Sequence, residues 1–469
     1  MKGALLFNMT LIEKIKYISL IALFILLWLY QEHLKSSLKK EKQKNARVPP
    51  HLHIASLSKT NGIIFGRRKN KFYSSPIEDE CHVFCCASSG AGKTSALAIP
   101  SIRSSCKDPS RGTCFCIDIS GDISSNCAIP KKIIFDIENP ATTPYNVFYA
   151  VDMENDYNIQ NELLEKLGFL IMPETNSSDD AGAFFLNNGR KMLIGSLIAF
   201  YHEGLDFVPI CKKIVSLDYK TLLYDIVRTN NENAIRYISS FSGANEKNSA
   251  GCKQCADHYI SLYANNFRMA NAVRRPKENE LCVTPQLLKD HSIFLCIPDS
   301  KTDIYGSFLG IVSAQAFDFC AARKNQEKTT ILFVLDEFAS LRIGASDILN
   351  AVRKYRKKNV RLMILTQSLL DLDILYGAKI RDSILNNIRY KVILGITDPD
   401  SQRYFSDIIG KQEVETKSTT ISSRSHSVSY GYTQEYCVPP DEFGRLKDEL
   451  YLICDDGSYI KLQKNYYFK

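Results

Sequence analysis

Tryptophan is nearly missing from this chain, with Trp28 the only one in 469 residues. Also missing is any charge bias strong enough to assign a class outright. Lys and Arg number 59 against 51 Asp and Glu, so the balance of +8 selects neither nucleic acid nor an acidic partner by itself. Gly 23 and Pro 16 are too few for a collagen-like or low-complexity chain, and hydrophobic residues at 45% exclude wholesale disorder. Cysteine falls short of a disulfide framework. There are 15, an odd number, and several sit in apolar runs (Cys85 and Cys86, Cys114 and Cys116) where a reduced thiol packs as a small hydrophobe. The single C-x-x-C, Cys252 to Cys255, has no second pair to complete a zinc site. No internal repeat is found. What remains is an ordinary globular composition, about three times the ~150 residues of a typical domain, read as mainly cytosolic and divided into two or three domains.

The first thirty residues depart from that composition. Tyr17 to Tyr30 carries no charge and is almost purely apolar, but its 14 residues give only about 21 Å of helix against a hydrocarbon core of about 30 Å. Ile12 and Ile15 extend it, and Lys14 and Lys16 can snorkel to the interface. Gln31-Glu32-His33 offers no cleavage site of the signal-peptide kind. Glu32 to Arg47 holds six basic and two acidic side chains, an excess that keeps this flank in the cytoplasm. A single membrane anchor is therefore expected, with a peripheral amphipathic helix or a buried helix as alternatives.

Beyond Val48-Pro49-Pro50, apolar runs of strand length alternate with helical patterns, which argues for an α/β architecture with a mainly parallel sheet. Strands are expected at His82–Ala87, Gly112–Asp118, Lys132–Phe135, Ser292–Ile297, Thr330–Leu335, Arg361–Thr366 and Lys391–Gly395. From about Tyr157 to Arg275 the strand signal disappears. Ile159–Leu170, Asn187–Tyr201 and, more weakly, Tyr219–Val227 place apolar residues at helical spacing, as an all-helical insertion would. The Ser/Thr-rich stretch Ser418–Ser429 reads as a mobile surface loop.

The first motif is a phosphate cradle. The strand ending at Ala87 runs into Ser88-Ser89-Gly90-Ala91-Gly92-Lys93-Thr94, and a helical pattern opens at Ser95. Strand, glycine loop and helix come in the order a P-loop needs. Gly90 and Gly92 let successive N–H groups converge on phosphate oxygens, Lys93 reaches the β- and γ-phosphates, and the Thr94 hydroxyl suits Mg²⁺. Residues 88–95 are thus the candidate ATP-binding loop, although Ala87 stands where the motif usually begins with Gly.

A second strand carries acids. Thr330–Leu335 is a continuous apolar run that ends in Asp336-Glu337, where α/β sheets place their ligands. Asp336 suits the Mg²⁺ shell, and Glu337 can polarise a water for attack on the γ-phosphate, which favours hydrolysis over transfer to a hydroxyl. The strand ending at Gln367 offers an amide at the same edge, a sensor of the γ-phosphate or an ordinary strand end. Arg342 to Arg361 holds seven basic residues and one acid, with helical character from Ile348 to Tyr355. Its readings are a solvated face, an arginine finger for a neighbouring subunit, or the lining of a nucleic-acid channel.

Leu335-Asp-Glu-Phe-Ala-Ser-Leu341, Thr366-Gln-Ser-Leu-Leu-Asp-Leu372 and Tyr376-Gly377 together resemble the TraG/TraD coupling proteins of type IV secretion and conjugation systems. Ile117-Asp-Ile-Ser-Gly-Asp122, Pro144-Tyr-Asn-Val147 and Val438-Pro-Pro-Asp-Glu-Phe443 resemble further segments of that family. The resemblance implies a P-loop NTPase of RecA-like fold with helices on both faces of its sheet, a membrane anchor (1–50), a nucleotide-binding domain in two parts (51–156 and 276–469) and an all-helical insertion (157–275). It implies a homohexamer in the inner membrane, with its ATPase domain in the cytoplasm. Such a motor recruits single- or double-stranded DNA, relaxosome or effector proteins and drives them into a secretion channel. By position, Lys93, Glu337, Gln367 and Arg356 would be catalytic, Arg356 as a trans-acting arginine, and Thr94 and Asp336 would hold Mg²⁺. Two alternatives stand beside it: a DNA translocase of the FtsK kind, and a docking platform that binds nucleotide without hydrolysing it. The family's Asp-Pro-Lys-Gly-Glu segment has Ser120 in place of its Lys.

Overall fold

The computed structural model describes residues 25–31, 49, 51–60, 62–76, 81–174, 180–325, 327–341, 343–422 and 425–468, with backbone alone across 417–429. Met1–Pro50 with Ser458–Ile460 make one compact unit, and His51–Gly457 with Lys461–Lys469 make another. In the first, residues 25–31 are helical, and Ile25 to Tyr30 are each more than half exposed. The rest of the expected anchor, 17–24, and the basic stretch 32–47 lie outside the described residues.

The larger unit is built on one sheet. Its strands are β1 (His53–Ala55), β2 (Ile64–Arg68), β3 (Lys71–Ser74), β4 (Val83–Ala87), β5 (Gly112–Asp118), β6 (Lys132–Asp136), β7 (Ser292–Cys296), β8 (Thr330–Leu335), β9 (Val360–Thr366) and β10 (Tyr390–Gly395). β11 (Lys411–Ser422) and β12 (Ser425–Tyr436), which form a separate two-stranded sheet, precede β13 (Glu449–Ile453) and β14 (Tyr459–Gln463). The order across the sheet is β1-β3-β2-β14-β13-β10-β4-β9-β8-β5-β7-β6. From β10 to β6 every neighbouring pair is parallel. These seven are the strands expected from sequence, within a residue or two. Almost every residue of β4, β5, β7, β8, β9 and β10 is buried, as runs covered on both faces should be.

The antiparallel flank beside β10 was not anticipated, because its short strands lack an uninterrupted apolar run. Ser418–Ser429, expected as a loop, belongs instead to β11 and β12, which pair in register from Lys411↔Tyr436 to Ser422↔Ser425. The Ser/Thr repetition hides any apolar alternation there, while the backbone ladder forms regardless.

Between β6 and β7 the sheet is interrupted by helices. The helices that matter below are α1 (Ile99–Ser105), α2 (Asp122–Asn126), α3 (Tyr157–Ile171), α4 (Asp180–His202), α5 (Phe207–Ser216), α6 (Tyr219–Arg228), α7 (Glu232–Ile238), α8 (Glu246–Asn265), α9 (Phe267–Ala272), α10 (Thr302–Ala322) and α11 (Ala345–Lys354). From α3 to α9 every described strand is absent. The starts are written in the sequence: Asp156, Asp206, Asp218, Asn231, Asn245 and Asn266 each accept backbone N–H groups at the opening of a helix. Close approach is bought by glycine at one point: a Cβ on Gly189 of α4 would stand 2.7 Å from the Cys252 carbonyl oxygen of α8.

Among the described residues, one helical stretch is long and apolar enough to cross a membrane, Asp299–Ala322. It is a core helix. Phe317 stacks on Phe333 of β8 at 5.0 Å and Phe308 meets Phe135 of β6 at 5.7 Å.

Candidate functional site

Strand order does most of the positioning. β9 lies between β4 and β8, and all three are parallel, so the loops that follow them emerge side by side at one edge of the sheet. Strands pair about 4.8 Å apart, which brings the glycine loop, Gln367 and the acidic pair within reach of one another. Such carboxyl-terminal strand edges are where open α/β sheets bind ligands.

The loop after β4 turns through two left-handed glycines, Gly90 at φ 74° and Gly92 at φ 98°. Gly92 opens a π-helical turn, Lys93–Ala98, which continues as α1. At the loop's base, the Ser88 N–H donates to the Gly395 carbonyl (2.8 Å), and Ser88 Oγ accepts from the Thr397 N–H (3.1 Å). The cradle is thereby stapled to the end of β10.

Lys93 is buried and its Nζ donates to Glu337 Oε1 at 3.0 Å. Gln367 Nε2 donates to the other carboxylate oxygen, Oε2, at 3.2 Å. Glu337 sits at φ 46°, a left-handed conformation that a non-glycine residue adopts only under local constraint. Lysine, glutamate and glutamine from the segments that follow three different strands thus form one chain of contacts.

Asp336 lies deeper, 4% exposed, and its Oδ1 has no hydrogen-bond partner. Burial pushes its carboxyl up to about 7, the adjoining Glu337 carboxylate adds to the shift, and Lys93 opposes it. A buried oxygen without a donor is costly unless a cation meets it. The donor set therefore fits a divalent metal, with the Thr94 hydroxyl on the same cleft.

These groups line a cleft of about 620 Å³. Of the sequence-expected residues, Ser88, Ser89, Gly90, Gly92, Lys93, Thr94, Ser95, Asp336, Glu337 and Gln367 border it, while Ala91 does not and instead faces Gly395. Arg356 is elsewhere. It opens the turn before β9, at the opposite end of that strand from Gln367, and its charge bears on the buried His82 that precedes β4. Sequence reasoning missed Asp122, Asp299 and Ser340 on the cleft, and also Tyr467 and Phe468. Asp122 lay in a segment already singled out; nothing marked the aromatic pair.

Residues 30–469 match the family model for type IV secretory system conjugative DNA transfer. The chain belongs to that family. Among curated relatives of this coupling family, the protein VirD4 of Agrobacterium fabrum (strain C58) is 19% identical over 295 residues, which is 61% of this chain and 43% of VirD4. The match therefore spans less than half of that relative. The unbound monoclinic form of the bacterial conjugative coupling protein TrwBdeltaN70 shares the fold at TM-score 0.67 and 17% identity, over 91% of each chain. The plasmid coupling protein TrwB in complex with ADP and Mg²⁺ does so at TM-score 0.64 and 17% identity, over 83% of this chain and 86% of that one.

Proposed function

We propose that this chain is a membrane-anchored, ATP-hydrolysing coupling motor that recruits DNA or DNA–protein substrates and drives them into a conjugative secretion channel. The observation that carries the ATPase reading is the convergence of Lys93, Asp336, Glu337 and Gln367 on one cleft at the carboxyl edge of the parallel strands. The complex of TrwB with ADP and Mg²⁺ supports nucleotide and Mg²⁺ as the ligands of that cleft. The division into an anchor (1–50), a split nucleotide domain (51–156 and 276–469) and a helical insertion (157–275) belongs to the same proposal. So does the placing of the anchor in the inner membrane, carried by the apolar run Tyr17–Tyr30 and its basic flank.

The Lys93 ammonium is held by Glu337. Incoming phosphates draw Lys93 to the triphosphate, and Glu337 is left as a free carboxylate beside Gln367. Gln367 keeps it aimed and reports on the terminal phosphate. Glu337 then accepts the proton of the attacking water. Asp336 Oδ1 and the Thr94 hydroxyl would hold Mg²⁺, which when bound supplies positive charge to the β- and γ-phosphate oxygens.

Arg356 cannot serve the site of its own chain. Seven residues of β9 separate it from Gln367, about 23 Å at ~3.3 Å each. In a homohexameric ring, that turn faces a neighbour's nucleotide and supplies the arginine missing from it. The measurement that tests the whole reading is ATP turnover with and without single-stranded DNA. Turnover that rises with DNA supports a motor, and nucleotide binding without turnover under either condition favours the docking platform.

A further inference from the structure

The cleft has two unlike ends. Lys93, Asp336, Glu337 and Gln367 meet at one; Ser95, Ile99, Asn126, Tyr467 and Phe468 also border the cleft, and of these only Ser95, the last residue of the candidate loop, has a part in the chemistry above. The aromatic segment there is fastened in place. The Tyr467 N–H donates to the Ser95 carbonyl (3.0 Å), and Arg103 of α1 donates to the Tyr467 carbonyl (3.4 Å) while its guanidinium stands 5.1 Å above the Tyr467 ring. A 2.6 Å bond to the Asn126 carbonyl holds that same guanidinium from below. Tyr466 abuts the cradle itself, since a Cβ on Gly92 would stand 3.3 Å from its ring. Phe468 stacks on Tyr466 with centroids 5.4 Å apart and planes at 28°. Yet Phe468 is 62% exposed, a flat apolar face on the cleft.

The direction of the cradle says what this face meets. In a P-loop the lysine takes the β- and γ-phosphates and the loop's N–H groups take the α- and β-phosphates. With its terminal phosphate at Glu337, a nucleotide passes Ser95 on its way out, and its ribose and base extend toward residues 466–468. We propose that Tyr466–Phe468 is the base platform of this site, with Phe468, backed by Tyr466, stacking on the purine. The proposal rests on the nucleotide reading above and adds the part of the ligand that the phosphate cradle does not touch. A π-face reads area rather than the hydrogen-bonding edge of a base, so ATP and GTP should bind within about tenfold of each other.

The test compares Mg·ATP with Mg·tripolyphosphate, which has the phosphates but no base, on the whole 469-residue chain by calorimetry. Phe468→Ala should weaken ATP about tenfold, a typical loss for one base–aromatic stack, and leave tripolyphosphate unchanged. Phe468→Trp should keep ATP affinity within about threefold, because an indole stacks as well as a phenyl ring. Its emission should change on adding ATP but not tripolyphosphate. The side chain is exposed, so neither replacement endangers folding. Unchanged ATP binding in Phe468→Ala overturns the platform while the nucleotide site stands. An equal loss for both ligands overturns it too, because the segment would then act through the cradle. If the unaltered chain binds neither ligand, the nucleotide reading fails and the platform with it.

Discussion

Asp118 ends β5 and Asp336 follows the adjacent parallel strand β8, and both are buried. Their surroundings differ. Asp118 accepts the N–H groups of Gly121 (3.0 Å), Ile123 (3.4 Å) and Ser124 (2.7 Å), so its charge is spent on folding α2 against the sheet edge. Asp336 has an oxygen with no donor at all. Two like residues at like positions are thus separated by where the local backbone points its N–H groups. A satisfied buried carboxylate holds structure, and an unsatisfied one is costly unless a cation meets it.

The largest expected effect tests the proposed arginine from a neighbouring subunit. Arg356→Ala should bind ATP nearly as before and lose turnover by about 10³–10⁵. Mixing it with Lys93→Ala should restore part of the activity, because some interfaces then pair a sound cradle with a sound arginine. Mixed rings as inactive as either parent would assign Arg356 to a solvated or DNA-facing turn.

Next comes Asp336. Its folded pKa is raised from 3.8 to about 7, so between those values the folded chain binds more protons than the unfolded one. The stability contributed by this group is full below about pH 4 and lost as pH rises through about 7. Ligand-free Asp336→Asn should therefore be more stable than the parent at pH 8, by roughly 1–3 kcal/mol, with the two converging at acid pH. It should also lose the Mg²⁺-dependent gain in melting temperature that nucleotide gives the parent. Asp118→Asn should do the reverse: a loss of about 1–3 kcal/mol measured by urea unfolding, because three N–H groups keep a weaker acceptor, with the Mg²⁺ response retained. If both variants behave alike, the distinction between the two carboxylates is wrong.

The parallel half of the sheet was legible because buried parallel strands are continuous apolar runs, and Thr330–Leu335 or Gly112–Asp118 can be read off directly. The meeting of loop, acids and amide on one cleft was legible for a related reason: each follows such a run immediately. What escaped was set by long-range pairing. β13 and β14 are short and partly polar, and the β11–β12 ladder is held by backbone bonds that Ser/Thr repetition does not announce. Tyr467 meets Ser95 across 372 positions, a contact no local pattern encodes. Asp118's structural role was equally hidden, since only the turn at Gly121, φ 76°, aims the N–H groups at it.

The central claim is that Glu337 activates water while its neighbours bind the nucleotide, and Glu337→Gln tests it most directly. The amide keeps the shape and can still contact Gln367, but it cannot accept the water's proton. Single-turnover hydrolysis should fall by about 10²–10⁴, the usual contribution of a general base, while Mg·ATP affinity stays within a few-fold of the parent. Hydrolysis at the parental rate, or loss of Mg·ATP binding along with it, would contradict the account.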